Sequence, residues 1–211
     1  MLKYFRCLLY LIVLTGTSAS FASPYVDFFR SVNVDDAGTV KSLLARGFDP
    51  NTPDESGQVA LYLALRGEST KVVGVLLDHP ALKIDATNAA DETPLMIAAL
   101  RGQLDSTQKL LARGATVNRA GWTPLHYAAS GPEPKVLALL LERGAVVDAP
   151  SPNRTTALMM AARYGSEDAV RLLRARGADL RARNDLGLNA VDFARLGGRE
   201  SLVKELEAAT R

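Results

Sequence analysis

Thr123-Pro124-Leu125-His126-Tyr127-Ala128-Ala129 leads into Val136-Leu137-Ala138-Leu139-Leu140-Leu141 and then Arg143-Gly144-Ala145-Val146-Val147-Asp148, and this stretch decides the fold. Threonine is a strong N-cap, and proline at the first helical position forfeits no hydrogen bond, because that N–H has no acceptor within the helix. Leu125, Ala128 and Ala129 fall at helical spacing, and the paired alanines let another helix approach closely. Pro132 and Pro134 break the chain before a second helix that carries Val136, Leu137, Leu139, Leu140 and Leu141. Gly144 supplies a left-handed C-cap, with Arg143 beside the negative helix end. Residues 145–155 then run out as an extended finger. A unit this small cannot bury both of its helices, so it needs copies of itself as neighbours.

Those copies are present. Thr93-Pro94-Leu95-Met96 and Thr156-Ala157-Leu158-Met159 repeat the opening, and Ala98-Ala99 and Ala161-Ala162 repeat the alanine pair. A glycine lies 21 residues past each threonine, at Gly114, Gly144 and Gly177. Weaker copies begin at Val26, Val59 and Asn189, so units start near 26, 59, 93, 123, 156 and 189, at spacings of 33, 34, 30, 33 and 33. Periods of this length mark solenoids. The pattern T-P-L-H-x-A-A, an apolar helix, then R-G-A-x-V-N/D resembles the ankyrin repeat family, closely over 93–183 and more loosely at the ends. The resemblance implies an all-α helix-turn-helix solenoid of about six repeats with short β-hairpin fingers. It implies that His126 hydrogen-bonds between neighbouring fingers, and that the chain acts by binding another protein.

Terminal units need polar outer faces. Phe28, Phe29, Val32, Leu43 and Leu44 read as inward in the first copy, with Asp35, Asp36 and Lys41 outward. Val191, Phe193, Leu202, Val203 and Leu206 read as inward in the last, with Arg199, Lys204, Glu205 and Glu207 outward. Both ends therefore read as capped. Three departures stand out. The finger Asn118-Arg119-Ala120-Gly121-Trp122 is clipped, which carries Trp122 toward the stack. The second copy ends at His79–Asp85 without its cap glycine. Ser151-Pro152-Asn153-Arg154 replaces the usual acidic-glycine turn. Asn153-Arg154-Thr155 matches a glycosylation acceptor, but reads more simply as a turn beside Pro152.

Residues 1–22 read as a signal peptide: Lys3 and Arg6, the apolar run Cys7–Leu14, then small residues at Ser20 and Ala22, with cleavage expected after Ala22. The apolar run of eight is too short to span a membrane. The domain then covers 23–211, with 23 basic and 23 acidic residues and no cysteine. A cysteine-free body suits an oxidising compartment. Export is therefore expected, to the bacterial periplasm first and outside the cell as the alternative.

The composition, 47% apolar and 23% charged, fits a globular chain, and one cysteine excludes a disulfide scaffold. A formal charge of +2 gives no general attraction to nucleic acid or to an anionic membrane. His79 and His126 are the only imidazoles, no nucleophile elbow accompanies them, and no phosphate loop or acid pair appears. No catalytic, cofactor or metal site is expected, and the chain reads as a monomeric binding protein and not an enzyme.

A partner is expected in the concave groove formed by the fingers and the exposed side of each first helix. Arg66, Arg101, Arg163 and Arg195 follow the first-helix apolar positions and read as a recurring basic ridge, with Tyr164 beside Arg163. Gln58, Glu92 and Trp122 lie on the fingers just before their helices. Arginine, tryptophan and tyrosine are the types that most often carry interface energy. Arginine at a helix C-terminus also stabilises the helix dipole without a partner, and Trp122 fits local packing on Tyr127 or Arg119 equally well. Residues 23–118 carry net −3 and 119–211 net +3, a modest dipole. The resemblance implies a scaffold or protective partner, with a link to peroxide defence among exported bacterial members. A secreted host-directed factor is the alternative.

Overall fold

The computed structural model describes residues 23–209; residues 1–22, expected from the sequence to be a signal peptide, lie outside the described residues. Each copy is a helix pair. They are α1 (Pro24–Asn33) with α2 (Ala37–Ala45), α3 (Ala60–Arg66) with α4 (Thr70–Leu77), and α5 (Pro94–Leu100) with α6 (Leu104–Ala112). Next come α7 (Pro124–Ser130) with α8 (Pro134–Glu142), α9 (Ala157–Tyr164) with α10 (Glu167–Ala175), and α11 (Ala190–Leu196) with α12 (Glu200–Ala209). The first helices form one layer of the solenoid and the second helices the other.

The caps explain where the first helices begin. Thr93 Oγ1 accepts from Met96 N at 3.3 Å, and Asn189 Oδ1 accepts from Val191 N and Asp192 N at 2.9 and 3.1 Å. Gly47, Gly114, Gly144 and Gly177 end the second helices α2, α6, α8 and α10 at φ +83 to +93°, where a side chain would strain the backbone. The second copy lacks that glycine, and the guanidinium of Arg113 caps it from the next repeat, donating to Leu77 O and, at 3.3–3.4 Å, to His79 O.

The first-helix layer is tight because its facing residues are small. Ala98, Ala99, Ala128, Ala129, Ala161 and Ala162 are all buried. Gly131, Gly165 and Gly197 close their helices with ordinary φ of −80, −85 and −82°, so conformation does not demand glycine. Space does: a Cβ would meet the backbone carbonyls of Ala99, Ala129 and Arg163 in the preceding repeat. Leu95, Leu125, Leu158, Leu110, Leu137 and Leu140 fill the core between the layers.

Two outward residues turn out to bind inward. Asp35 Oδ1 accepts from Val72 N at 2.9 Å and so caps the first turn of α4 in the next copy. Arg199 Nη1 donates to Ala161 O, Ala162 O and Gly165 O at 2.9, 3.1 and 2.9 Å. Helix ends carry unsatisfied backbone groups, and a charged side chain from the adjacent repeat satisfies them better than solvent does. Arg199→Ala is expected to lower stability by about 2 kcal/mol, read from a urea midpoint, because three carbonyls lose a charged donor.

The expected β-hairpin fingers are corrected to tight loops. Among the described residues one isolated bridge, Pro53 with Val59, is the only β pairing. Each finger is too short for a ladder. The fingers at 54–58, 88–92, 151–155 and 184–188 are each closed by a backbone bond across the turn, such as Asn88 N to Glu92 O at 3.2 Å or Ser151 N to Thr155 O at 3.0 Å. Side chains join successive fingers: Asn118 Nδ2 donates to Gly144 O at 2.8 Å, Asn118 Oδ1 accepts from Val146 N at 2.9 Å, and Asp148 accepts from Asp179 N at 3.1 Å. Asn153 Oδ1 accepts from Ser151 Oγ at 2.6 Å, so it braces the turn that its sequence suggested.

Candidate functional site

The groove face of each first helix is read by counting from its N-cap residue, Val59, Thr93, Thr123, Thr156 and Asn189. Arg66 and Arg163 stand seven residues on, but Arg101 stands eight on and Arg195 six. Each step turns a side chain by about 100° on a helix, so the four do not form one ridge. Arg101 instead folds back, with Nη2 donating to Arg66 O at 2.9 Å and Nη1 4.0 Å from Glu68. Arg195 is held by Asp192 at 3.0 Å and Glu207 at 2.9 Å. The seventh position, read along the solenoid, is Arg66, Leu100, Ser130, Arg163 and Leu196.

The small residue in that row leaves a hollow. Ser130 and Gly131 stand where the neighbouring copies carry Leu100-Arg101 and Arg163-Tyr164. Around them lies a depression of about 420 Å³ lined by Leu100, Trp122, His126, Tyr127, Ser130, Met160 and Tyr164. Its walls are almost entirely apolar, and Tyr164 is 56% exposed at its rim. The clipped finger carries Trp122 into this wall, half-buried, with its ring edge-on to His126 at 5.2 Å between centroids. Trp122 thus stands in the wall of the hollow with its ring against that of His126.

His126 makes the floor rigid. Its Nδ1 accepts from Thr123 N at 3.2 Å, which leaves the proton on Nε2 for Thr155 O at 2.9 Å in the next finger. The family resemblance implied this finger-to-finger bond. Burial holds the imidazole pKa below its ordinary value of 6.5. A neutral buried histidine leaves the unfolded chain to take up the proton first as pH falls, so stability declines on acidification below pH 6.5. The urea midpoint is expected to fall between about pH 7 and pH 5, and His126→Gln to lose that part of the slope whatever its absolute stability.

Glu92 is a structural hub, which its sequence position on a finger did not reveal. Its carboxylate accepts from Tyr62 OH at 3.0 Å, Tyr127 OH at 2.9 Å and Asn88 Nδ2 at 2.8 Å, tying the second copy to the fourth across the third. Burial, then the carboxylate itself, raises both tyrosine pKa values and keeps them as neutral donors. Beside it Arg119 donates to Asp91 O at 2.6 Å and pairs with the Asp91 carboxylate at 2.5 Å. The only hint in the sequence was that Tyr62 and Tyr127 occupy first-helix positions on either side of Glu92. Gln58 is half-buried, and its Oε1 is buried without a hydrogen-bond partner among the described residues. Arg66 lies over the Tyr62 ring at 5.8 Å and Arg163 over the Tyr164 ring at 4.9 Å.

Among the described residues no group of three His, Cys, Asp or Glu could hold a metal ion, and no helix is long and apolar enough to cross a membrane. The hollow offers apolar contact and hydrogen-bonded rigidity, the properties of a binding surface.

A family model for ankyrin repeats, in three copies, matches residues 29–120 and again 116–184. The chain is 43% identical over 108 residues to the neurogenic locus notch homolog protein 4 of Homo sapiens, covering 49% of this chain and 5% of that protein. It is 32% identical over 155 residues to the nuclear factor NF-kappa-B p105 subunit of Gallus gallus, covering 70% of this chain and 16% of that one. The chain therefore spans only a small part of these relatives' length. Among solved structures it is similar to a chain from the complex of the predatory endopeptidase Bd0816 of Bdellovibrio bacteriovorus with the immunity protein Bd3460. The TM-score is 0.74 and the identity 26%, over 86% of this chain and 97% of that one. Internal repeats, helix pairs and family model agree: the chain belongs to the ankyrin repeat family.

Proposed function

We propose that this chain is an exported, non-catalytic binding protein whose concave groove covers an enzyme in the same compartment and holds it inactive. The observation that carries the reading is the likeness, along nearly the whole of its length, to a chain from the endopeptidase–immunity protein complex. It turns the general expectation of a protective partner toward a destructive enzyme and away from peroxide defence. The apolar hollow with an exposed tyrosine at its rim suits such a role, because interfaces concentrate their energy in a few aromatic and arginine anchors around desolvated pockets. The basic and apolar order of residues 1–22 supports a periplasmic location.

The test is capture of the full-length exported protein with its partner from periplasmic extract, followed by identification of that partner and assay of its activity. The expected result is a single exported enzyme whose activity falls in proportion to added chain until the two are equimolar. Full activity in a saturated complex would refute the inhibitory role. A mature N-terminus other than Ser23, read by mass spectrometry, would correct the expected cleavage site.

A further inference from the structure

We propose that the hollow over Ser130 receives a bulky apolar side chain from an acidic segment of the partner protein, an inference that rests on the groove-binding reading above. Three observations carry it. The hollow is nearly all apolar and about 420 Å³ in volume, which accommodates a large aliphatic or aromatic residue and its neighbour. It exists because the seventh position narrows to serine here, while the adjacent copies carry Leu100 and Arg163 there, and Arg66 holds the same position one copy beyond Leu100. Those two guanidiniums have no carboxylate within 4.0 Å among the described residues, whereas Arg101, Arg119 and Arg195 are ion-paired. Each lies over a tyrosine ring, and the ring under Arg163 is that of Tyr164, which lines the hollow.

The groove therefore places one guanidinium without a carboxylate partner, Arg163, over the rim tyrosine of an apolar socket, and a second, Arg66, farther along the same row of first-helix positions. The complementary partner is an extended segment with one large apolar side chain and carboxylates flanking it. Carboxylates reaching Arg66 and Arg163 fix its direction and speed its encounter, and the apolar anchor supplies the contact area. A basic segment meets repulsion from Arg163 at the rim of the same socket.

Trp122 is the only tryptophan of the chain and lies in the socket wall, so its emission reports occupancy directly. The probes are short synthetic peptides: Leu-Phe between paired aspartates, the same Leu-Phe between paired lysines, and Ala-Ala between paired aspartates. The expected result is a saturable change in Trp122 emission with the first peptide, and binding at least about tenfold weaker with the other two. Ser130→Arg, which places in the socket the residue that Arg66 and Arg163 show this position accepts, is expected to abolish the change with its melting temperature unaltered. Arg163→Glu is expected to weaken the acidic peptide about tenfold. Equal binding of acidic and basic peptides, binding retained in Ser130→Arg, or no saturable change up to about 1 mM would each overturn the proposal. So would concentration-dependent dimerisation that Ser130→Arg abolishes, which would assign the socket to a second copy of the chain. With the captured enzyme in hand, the two readings separate. If Ser130→Arg and Arg163→Glu leave its binding intact while Arg66→Glu weakens it, the groove reading stands and the socket proposal falls. Loss confined to Lys109→Glu, on the second-helix face, overturns the groove reading and the proposal with it.

Discussion

Gly165→Ala is expected to destabilise the chain by about 3 kcal/mol or more, although alanine is ordinarily the more stabilising residue of the two. Gly165 has φ −85°, which any residue adopts, so the backbone offers no objection. The objection comes from the preceding repeat: a Cβ here would overlap the carbonyl oxygen of Ala129 and crowd Ala161. Both neighbours are backbone and cannot swing aside as a side chain does. Relief requires α7 and α9 to separate, which opens the buried alanine contacts between them. Since each copy is stabilised largely by its interfaces, one loosened interface weakens the whole array. Urea unfolding followed by helical ellipticity measures the effect. Gly74→Ala is the control: Gly74 lies within α4, and a Cβ there meets nothing within 4 Å. A gain of about 0.5–1 kcal/mol is expected at that site from helix propensity. If Gly165→Ala behaved like Gly74→Ala, the close stacking of the first helices would be refuted.

Glu92→Ala is expected to cost about 2–3 kcal/mol, more than an ordinary substitution on a loop. Removing the carboxylate leaves the hydroxyls of Tyr62 and Tyr127 and the amide of Asn88 without their acceptor, and Tyr62 is a buried residue. The bland expectation for an acidic finger residue is a change within about 0.5 kcal/mol. Tyr127→Phe removes one donor and is expected to cost about 1 kcal/mol. In the background of Glu92→Ala that cost is expected to shrink toward zero, since the two changes delete the same bond. Strictly additive losses in this double-mutant cycle would show that the two groups act independently. A Glu92→Ala protein of unchanged stability that fails to bind the partner would restore Glu92 to the interface itself.

How far this site was legible follows from the range of the forces involved. The helix pairs, their threonine-proline starts and their glycine ends are local: each depends on residues within one turn, so the spacing of Thr, Ala-Ala and Gly exposes them. His126 and Trp122 were also within reach, because one sits in a repeated motif and the other in a finger visibly shorter than its siblings. The arginine ridge was not. Arg66, Arg101, Arg163 and Arg195 look equivalent in a loose alignment, yet shifts of one residue turn their side chains about 100° apart on a helix. Glu92, Asp35 and Arg199 were hidden for another reason. Each bonds a group 30 or more residues away, and a charged residue looks equally exposed in sequence whether its partner is water or the neighbouring repeat's helix end.

The sequence by itself determined that this chain stacks six like units into a solenoid, because periodic burial is written into periodic residue types. The tertiary structure alone decided what the groove presents. The hollow over Ser130 comes from three copies meeting around one small residue, and the two available guanidiniums were identified only once the ion pairs of the others were seen. Such features arise from the relative placement of side chains in different repeats, and an error of one residue in register is enough to lose them.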